Sequence, residues 1–189
     1  MGKSKKEIEI KIELKKNEIP AVRKRLRELG AIHAPVKKEI TYGFFSTDSI
    51  EAGIFPRIKT HKGETGGLLT VKIKKALRSK YFRREELTMA VPDARVARDI
   101  LKVLGYTKER IFEKIREKWN FPDQKIEVTI DELPFGFFIE IEGSPQGIEK
   151  TVKLLGLDNK DRIIKAYLRV YDDWRKKQGI KKENCVFKK

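Results

Sequence analysis

Carboxylates alternate with apolar residues in two short stretches of the sequence, one near its start and one near residue 140. Glu7, Glu9 and Lys11 alternate in "EIEIK", and Glu140 and Glu142 alternate in "FFIEIEG". Side chains two positions apart in a strand lie on the same face, about 7 Å from each other. Carboxylate oxygens are ligands that Mg²⁺ and Mn²⁺ prefer. Each stretch therefore predicts either a solvated strand face or one side of a metal site.

Basic residues repeat with the same spacing in four other stretches, "FPRIKT", "LTVKIKK", "YFRREEL" and "EKIREKW". The alternating polar residues in these stretches are Arg57, Lys59, Thr70, Lys72, Lys74, Arg84, Glu86, Lys114, Arg116 and Lys118. Arginine and lysine neutralise phosphate oxygens, arginine often through two parallel hydrogen bonds. Exposure to solvent is enough to explain the polar face of each of these strands when that strand is considered alone. A closed sheet with all of these faces inside would suit a metal-bound polyphosphate, because buried charges need partners.

The elements that would carry these residues are strands, since eight segments alternate with period two. The segments are Glu7–Leu14, Glu39–Phe45, Ile54–Lys62, Leu68–Lys75, Tyr81–Val91, Arg110–Trp119, Lys125–Asp131 and Phe137–Gly143. Many are adjacent in sequence and joined by turns such as "HKGETGG", which favours an antiparallel sheet. Closure into a barrel would remove the exposed edges. In "YFRREEL" a register shift of one residue would instead turn Arg83 and Glu85 inward.

Helices are predicted between the strands. "VRKRLRELG", "ARDILKVLG" and "EKTVKLLG" have apolar residues at helical spacing and end at a glycine, and Pro20, Pro92 and Pro145 lie near their starts. A fourth helix is predicted in "DRIIKAYLRVYDDWRKKQG", followed by a loose tail that includes "KKENCVFKK". The predicted fold class is α+β, with an antiparallel β-barrel and flanking helices. We expect one domain over residues 1–178 and a tail over residues 179–189.

Composition limits the function classes. The chain has 44 Lys and Arg against 28 Asp and Glu, a net charge of +16, which predicts an anionic partner such as a nucleic acid, an anionic membrane or a polyphosphate. A single cysteine forms no internal disulfide, and no apolar run approaches the roughly 20 residues that span a bilayer. We therefore expect a soluble cytoplasmic protein. The charged fraction of 38% is typical of the ion-pair networks of thermophiles.

In these motifs the sequence resembles the CYTH superfamily, the triphosphate tunnel metalloenzymes, which includes class IV adenylyl cyclases, thiamine triphosphatases and inorganic tripolyphosphatases. "EIEIK" resembles the family's Glu-x-Glu-x-Lys signature. Six further motifs follow in the family's order: Arg57-x-Lys59, Thr70-x-Lys72, Arg84-x-Glu86, Lys114-x-Arg116, Asp131 and Glu140-x-Glu142. Three features depart from the family's pattern: Lys59 stands where an arginine is common, the spacing from Asp131 to Glu140 is short, and "EITYGFF" offers only Glu39 where the family often has an aspartate near the second strand.

The resemblance implies a closed eight-stranded barrel that is open at both ends, with one or two Mg²⁺ or Mn²⁺ ions inside. The implied metal ligands are Glu7, Glu9, Glu86, Asp131, Glu140 and Glu142. The implied triphosphate ligands are Lys11, Arg57, Lys59, Lys72, Arg84, Lys114 and Arg116. Lys11 is also the candidate catalytic base, on the condition that its pKa is depressed. The implied partner is a small-molecule triphosphate, bound by a monomer or a homodimer, with no membrane and no nucleic acid.

Two reactions are compatible with this set of metal-binding carboxylates and triphosphate-binding cations. In a triphosphatase, an activated water attacks a phosphoryl group; in a class IV adenylyl cyclase, the ribose 3′-hydroxyl of ATP attacks the α-phosphate. We favour hydrolysis, because no residues for an adenine pocket are evident in the sequence. A non-catalytic protein that binds nucleic acid or polyphosphate is the competing class. Binding of nucleic acid would leave the two Glu-x-Glu strands unexplained, because carboxylates repel a phosphate backbone.

Overall fold

The computed structural model describes residues 3–74 and 80–188, with all of their side chains except those of Lys3 and Pro122. Within these residues the strands are β1 (Lys3–Leu14), β2 (Ile32–His33), β3 (Lys37–Phe45), β4 (Ile54–His61), β5 (Gly67–Lys74), β6 (Phe82–Val91), β7 (Lys108–Phe121), β8 (Ile126–Leu133) and β9 (Gly136–Glu142). The α-helices are α1 (Ile19–Glu28), α2 (Thr47–Glu51), α3 (Ala94–Val103), α4 (Pro145–Leu154) and α5 (Tyr167–Lys177). Two 3₁₀ turns, Lys16–Glu18 and Pro122–Gln124, complete the elements of this part of the chain.

Eight strands close into an antiparallel barrel. They pair in the order β7, β3, β4, β5, β6, β1, β9, β8, and β8 pairs back onto β7. The predicted closed eight-stranded barrel is therefore confirmed, and each alternating segment corresponds to one of its strands; Lys75, the end of one predicted strand, lies outside the described residues. The ninth strand, β2, pairs with the end of β7 through Ile32 and His33. It was not predicted, because two residues are too few to show a period.

The apolar core lies outside the barrel wall, between the strands and the helices. Ile10, Val128 and Ile141 on the strands are completely buried in one cluster with Leu26 of α1 and Val152 of α4. Full burial of one such side chain stabilises the fold by about 1.5–3 kcal/mol. Since neighbouring residues of a strand point to opposite faces, the polar residues between these apolar positions point into the barrel.

The helix ends follow the predicted signals. Gly30, Gly105 and Gly156 each lie two residues after the last residue of α1, α3 and α4, beyond a leucine C-cap, and have φ angles of 75°, 92° and 68°, in the left-handed region that favours glycine. Asp93 caps α3 by accepting hydrogen bonds from the amides of Arg95 and Val96 at 2.8 and 3.0 Å. Among the described residues, no helix has the length and apolar character needed to cross a membrane.

The C-terminal segment is docked against the barrel. Cys185 is 1% exposed; its amide donates to the carbonyl of Ile111 at 2.9 Å, and its carbonyl accepts from the amide of Glu113 at 2.8 Å. Arg110 of β7 adds a bidentate ion pair to Asp172 of α5 at 2.8 and 2.9 Å. The prediction of a loose tail is therefore wrong for these residues, because pairing with β7 orders them. The assignment of residues 1–178 to a single domain stays a prediction.

Candidate functional site

The polar residues singled out in the sequence converge on the inner surface of the barrel. Cross-strand register pairs Glu7 with Arg84, Lys72 with Glu86, Glu9 with Glu142, Lys11 with Glu140 and Arg116 with Asp131. Several ion pairs also skip the strand that lies between their partners, for example from β5 to β1 and from β7 to β9. Such contacts form across the concave side of a curved sheet. All predicted site residues therefore occupy inward-facing positions.

The register of β6 places Glu86, together with Arg84, on the inner face. Lys72 donates to both carboxylate oxygens of Glu7, at 3.0 and 2.8 Å, and also contacts the Glu86 carboxylate. Arg57 approaches Glu86 from two strands away, with Nη2 3.5 Å from Oε1. This group of two carboxylates and two cations is the first charged cluster of the barrel interior.

A second charged cluster contains Lys11, Glu9, Glu140, Arg116 and Asp131. Lys11 contacts Glu9 and lies 3.7 Å from the carboxylate of Glu140. Arg116 forms a bidentate pair with Asp131, at 2.6 and 2.5 Å, and lies 3.3 Å from Glu140. Asp131 is completely buried and Lys11 and Glu9 are 2% exposed. Charges this deeply buried are stabilised because each has an opposite charge beside it.

Glu39 of β3 is an inner-surface carboxylate that the predicted site did not include. Its two oxygens lie 3.4 Å from Lys59 Nζ and 3.4 Å from Lys114 Nζ. Burial raises the pKa of Glu39, but the charges of Lys114, Arg116 and Lys59 outweigh burial and lower it to about 2. Glu39 alternates with Lys37 and Thr41 in "KKEITYGFF", and this alternation could have placed it on the inner face of the strand. A single acid in a strand, however, is weak evidence for a functional site.

One end of the barrel is filled by aromatic side chains. Tyr167, at the start of α5, packs in one buried cluster with Phe112, Leu133 and Phe138, and its hydroxyl donates to Asp131 at 2.9 Å. Lys11 and Lys114 lie 5.2 and 5.6 Å from the centre of the Tyr167 ring, within cation–π range. Aromatic side chains thus occupy this end of the barrel interior, beside the start of α5. The predicted opening at both ends stays a prediction.

Lysines border the opposite end, where β1 begins and β7 ends. The side chains of Lys5 and Lys118 are 63% and 42% exposed, and Lys37 is also exposed. Lys5 contacts Glu142, and Lys118 contacts Glu127. An anion that approaches this end therefore meets positive side chains first, and the more deeply buried cations lie behind them.

Glu9 and Glu140 interact with each other, and the pKa values of their carboxyls shift in opposite directions. Burial and the negative charge of Glu140 raise the pKa of Glu9 to about 8, despite the opposing effect of Lys11. Burial also raises the pKa of Glu140, but Arg116 and Lys11 outweigh it and hold that pKa well below its usual value. Glu9 therefore favours its protonated form and Glu140 its ionised form, and a divalent cation bound beside such carboxyls would compete with the proton.

The donor chemistry of the interior suits a hard divalent cation, because carboxylates supply the oxygen ligands. Within residues 3–74 and 80–188, however, no three or more acidic, histidine or cysteine side chains are grouped closely enough to hold a metal ion. The acids contact lysines and arginines instead, as Glu7 contacts Lys72 and Asp131 contacts Arg116. A metal ion bound by these carboxylates would therefore have to displace the lysine and arginine side chains that contact them in this structure.

Unpaired polar atoms are concentrated on the same inner faces. Of the five buried side-chain nitrogen and oxygen atoms without a hydrogen-bond partner in the described part of the chain, four belong to inward-facing positions: Glu39 Oε2, Arg57 Nε, His61 Nδ1 and Thr129 Oγ1. Each unsatisfied buried group costs about 1–3 kcal/mol. Such a concentration indicates a surface built to contact a polar ligand.

Lys11 does not meet the condition for a general base. Burial lowers its pKa, but the neighbouring carboxylates of Glu9 and Glu140 outweigh burial, so that the pKa is raised from its ordinary value. A lysine that keeps its proton neutralises phosphate oxygens and cannot accept a proton from water. The raised pKa argues against the conditional role of Lys11 as a base, and its predicted role as a triphosphate ligand stays a prediction.

Comparison with known protein families matches the CYTH domain over residues 5–167 of this chain. Comparison with curated proteins gave no match. The family match extends from the first strand to the beginning of α5, and it therefore includes all the barrel strands together with Tyr167. The matched region contains every predicted site residue.

Solved structures share this fold at low sequence identity. The PH1012 protein of Pyrococcus horikoshii superposes with a TM-score of 0.69 at 20% identity, covering 85% of this chain and 96% of its own. A Vibrio parahaemolyticus protein described as a "putative adenylate cyclase" has a TM-score of 0.68 at 18% identity, covering 88% and 97%. HpAC1 from Hippeastrum, described as having a dominant triphosphatase activity, has a TM-score of 0.64 at 13% identity, covering 89% and 95%.

Proposed function

Because this chain belongs to the CYTH family, we propose that it is a divalent-metal-dependent enzyme that hydrolyses a phosphoanhydride bond in a small triphosphate-containing substrate. The family generally depends on a metal ion. The candidate substrates are inorganic tripolyphosphate, thiamine triphosphate and nucleoside triphosphates, and the proposed metal is Mg²⁺ or Mn²⁺. The fold neighbour HpAC1, with its described triphosphatase activity, supports hydrolysis as the first candidate reaction.

One observation carries the proposal: buried cations and carboxylates alternate around the inner surface and pair with one another. Lys72 with Glu7, Lys11 with Glu140 and Arg116 with Asp131 are such pairs. Inside the barrel, a member of any of these pairs without its partner would carry an uncompensated desolvation penalty. A metal–triphosphate complex carries both signs, so it can contact the cations through phosphate and the carboxylates through metal.

The chain's own residues divide into two groups in this proposal. Glu7, Glu9, Glu86, Glu140 and Glu142 would hold the metal, which when bound neutralises phosphoryl oxygens and lowers the pKa of a coordinated water. Lys11, Arg57, Lys59, Lys72, Arg84, Lys114 and Arg116 would bind and align the triphosphate, since phosphoryl transfer needs alignment and charge neutralisation most.

Asp131 has a different part in the proposal. Its carboxylate is already engaged by Arg116 on one side and the Tyr167 hydroxyl on the other, and it is completely buried. We infer that Asp131 orients Arg116 towards phosphate and contributes less to metal binding than the glutamates do. The two hydrogen-bonded partners hold its oxygens in fixed directions.

Cyclisation of ATP is the second candidate reaction. The description of the Vibrio parahaemolyticus neighbour supports it, and the same cations would bind the same triphosphate. The two reactions differ in products: cyclic AMP and pyrophosphate from a cyclase, orthophosphate from a triphosphatase acting on a terminal phosphoryl group.

Product analysis tests the proposal directly. The purified full chain would be incubated with Mg²⁺ or Mn²⁺ and, separately, with ATP, thiamine triphosphate and tripolyphosphate, and all products identified. Metal-dependent release of orthophosphate is expected, and the preferred substrate identifies the activity. Cyclic AMP would establish the second candidate. Metal-dependent binding without turnover, or binding of nucleic acid in preference to all three compounds, would overturn the enzyme proposal.

A further inference from the structure

The hydroxyl of Thr129 has no hydrogen-bond partner within the described part of the chain, although Thr129 is only 2% exposed. Thr129 points into the barrel from β8, on the same face as Asp131. A buried hydroxyl without a partner destabilises the fold. Valine has nearly the same shape, is equally suited to a strand and would leave no polar atom unsatisfied. Packing and strand propensity therefore do not explain a threonine at this position.

The charged neighbours of Thr129 have their polar ends engaged elsewhere. Thr129 lies opposite Lys118 of β7 and opposite Glu140 of β9. Cross-strand partners on one face have Cβ atoms about 4.5–5.5 Å apart, so both side chains begin beside the hydroxyl. Lys118 contacts Glu127, however, and the Glu140 carboxylate lies 3.3 Å from Arg116. The hydroxyl is thus adjacent to both signs of charge and hydrogen-bonded to neither.

The other buried threonines of the described residues have partners for their hydroxyls. Thr60 and Thr151 donate to backbone carbonyls at 2.8 Å, and the Thr70 hydroxyl lies 3.1 Å from that of another threonine. These three residues are 7%, 3% and 4% exposed, in the order Thr60, Thr151 and Thr70. Thr129 is therefore the exception among buried threonines in this part of the chain, and it faces the proposed site.

An ion pair spans β8 at the level of this hydroxyl. Arg116 lies opposite Asp131, Glu140 lies opposite Thr129, and the two charged groups meet across the strand between them. The pair therefore lies over the inner face of β8, to which the hydroxyl points. A phosphate group bound by Arg116 and a metal ion bound by Glu140 would separate the pair. The hydroxyl would then face the ligand.

A hydroxyl beside Arg116 suits a phosphoryl oxygen better than it suits a metal ion. The hydroxyl can donate, and ionised phosphate oxygens accept hydrogen bonds. Mg²⁺ prefers carboxylate oxygens, which the neighbouring glutamates supply. The branched side chain of threonine has few rotamers, so the direction of its hydrogen bond is largely fixed.

We propose that Thr129 donates a hydrogen bond to a phosphoryl oxygen of the ligand that Arg116 binds, and that this bond fixes the orientation of the phosphate group. The inference rests on the proposed triphosphate site and adds to it a neutral residue among the cations. It concerns binding, so it holds whether the bound triphosphate is hydrolysed, cyclised or only held.

Binding of a diimido analogue of tripolyphosphate in the presence of Mg²⁺, measured by calorimetry, tests this contact. Nitrogen replaces the bridging oxygens of this probe, so turnover does not disturb the measurement. Thr129→Val should raise the Kd by about 10-fold or more, as expected for one lost hydrogen bond to a charged group. Thr129→Ser keeps the hydroxyl and should bind nearly as the natural chain does.

Thr151→Val is the matched control, because it removes a buried hydroxyl of α4 that has a partner outside the barrel. Its Kd should equal that of the natural chain. Should Thr129→Val fail to fold, Thr129→Ser and Thr129→Ala form a second comparison, since they differ by the hydroxyl alone. The alanine variant should then show the loss of affinity and the serine variant should not.

Urea unfolding without ligand separates a ligand contact from a structural role. Thr129→Val removes an unsatisfied group, so its midpoint should equal or exceed that of the natural chain. Thr151→Val removes a hydrogen bond that is made, so its midpoint should fall. A Thr129→Val chain that is less stable and binds the probe normally would show that the hydroxyl supports the fold, for example through an ordered water, and would overturn the inference.

The outcomes distinguish this inference from its premise. Equal Kd values for the natural chain and Thr129→Val overturn the inference, whatever products the enzyme forms. Absence of binding by the natural chain overturns it as well. Binding that weakens at Thr129→Val, in a protein that releases no phosphate from any triphosphate, would support the contact and overturn the proposed hydrolysis.

Discussion

At the scale of single residues, the inner surface is a set of carboxylates whose neighbours decide their charge. Glu9 and Glu140 are both buried, yet their pKa values shift in opposite directions. The pKa of Glu140 is lowered because its carboxylate lies 3.3 Å from Arg116, whereas the pKa of Glu9 is raised by burial and by the negative charge of Glu140. Glu39 is held ionised by three cations. Acids of the same type can therefore bind metal, share a proton or anchor lysines, according to what surrounds them.

Glu9→Gln should separate metal-dependent catalysis from folding. Glutamine has the shape of the protonated glutamic acid that the raised pKa favours, so we expect the free energy of unfolding to change little. Loss of a carboxylate ligand should lower the metal-dependent release of phosphate by about 10²-fold or more. Phosphate release and metal titration by calorimetry measure the effect.

Glu13→Gln is the control for that substitution, because Glu13 lies on the same strand and is exposed. It should leave both phosphate release and metal binding unchanged. Equal activity in the Glu9→Gln and natural proteins would show that Glu9 is not a metal ligand.

Glu39→Gln should lower stability in a pH-dependent way. The folded-state pKa of about 2 lies below the ordinary value of 4.5, so the ionised carboxylate stabilises the fold above pH 4.5, and that contribution is lost as the pH falls from 4.5 towards 2. At pH 7 we expect a loss on the order of 2–3 kcal/mol. Urea unfolding at pH 7 and at pH 3 should show a smaller difference at the lower pH.

Glu64→Gln, on the exposed turn after β4, serves as the reference for Glu39→Gln. Its unfolding curve should overlay that of the natural chain at both pH values. A Glu39→Gln deficit that is the same at pH 3 as at pH 7 would mean that packing, and not charge, is the source of the effect.

At the scale of elements, α5 and the segment after it complete the barrel from outside. Tyr167 joins the aromatic layer at one end of the barrel interior and hydrogen-bonds to Asp131, while Cys185 adds a short parallel pairing to β7. Both contacts connect residues distant in sequence to the charged interior. The C-terminal part of the chain thus supports the position of Arg116 through Asp131.

Tyr167→Phe should destabilise the protein by about 1–3 kcal/mol, because it removes a hydrogen bond to a buried carboxylate and keeps the ring contacts. Chemical denaturation measures the change. Tyr106→Phe is a suitable comparison, since the Tyr106 ring packs beside α3 and its hydroxyl makes no hydrogen bond within the described residues. Equal stability of the two variants would contradict a structural role for the Tyr167–Asp131 bond.

Removal of the segment after Gly179 should lower the melting temperature of the chain. The truncation deletes the two backbone hydrogen bonds and the buried side chain of Cys185, worth about 2–4 kcal/mol together. It also deletes the Glu183 carbonyl that accepts from Arg110 and the Asn184 side-chain oxygen that accepts from the Ile111 amide, so the total loss should be larger. Differential scanning calorimetry compares the two chains. An unchanged melting temperature would show that docking of the segment contributes nothing to stability, as a loose tail would.

Much of this architecture could be predicted from alternation, and the failures have identifiable causes. Glu7, Glu9 and Lys72 were placed on one inner face because strand periodicity is local. The ordered position of Cys185 could not be predicted, since it depends on pairing with Ile111, some 70 residues away in sequence. The position of Tyr167 at one end of the barrel interior depends in the same way on where α5 packs.

At the scale of the whole molecule, the net charge of +16 and the exposed lysines at the end of the barrel where β1 begins predict electrostatic attraction of polyanionic substrates. We expect kcat/KM for a triphosphate to fall several-fold when ionic strength rises from about 0.05 to 0.2 M, because screening shortens the reach of the protein's field. The value of kcat should change less. Steady-state kinetics at fixed free metal concentration measures both, and a flat kcat/KM would contradict steering by the net charge.

The aromatic layer around Tyr167 has a consequence for the direction from which a ligand can reach the buried charges. Tyr167 packs against Phe112 and Phe138 and hydrogen-bonds to Asp131, so side chains already occupy this end of the interior. The lysines lie at the other end, where β1 begins. If the interior binds a triphosphate as proposed, we expect the ligand to enter and leave at the lysine end, with the part beyond its phosphates outside the barrel.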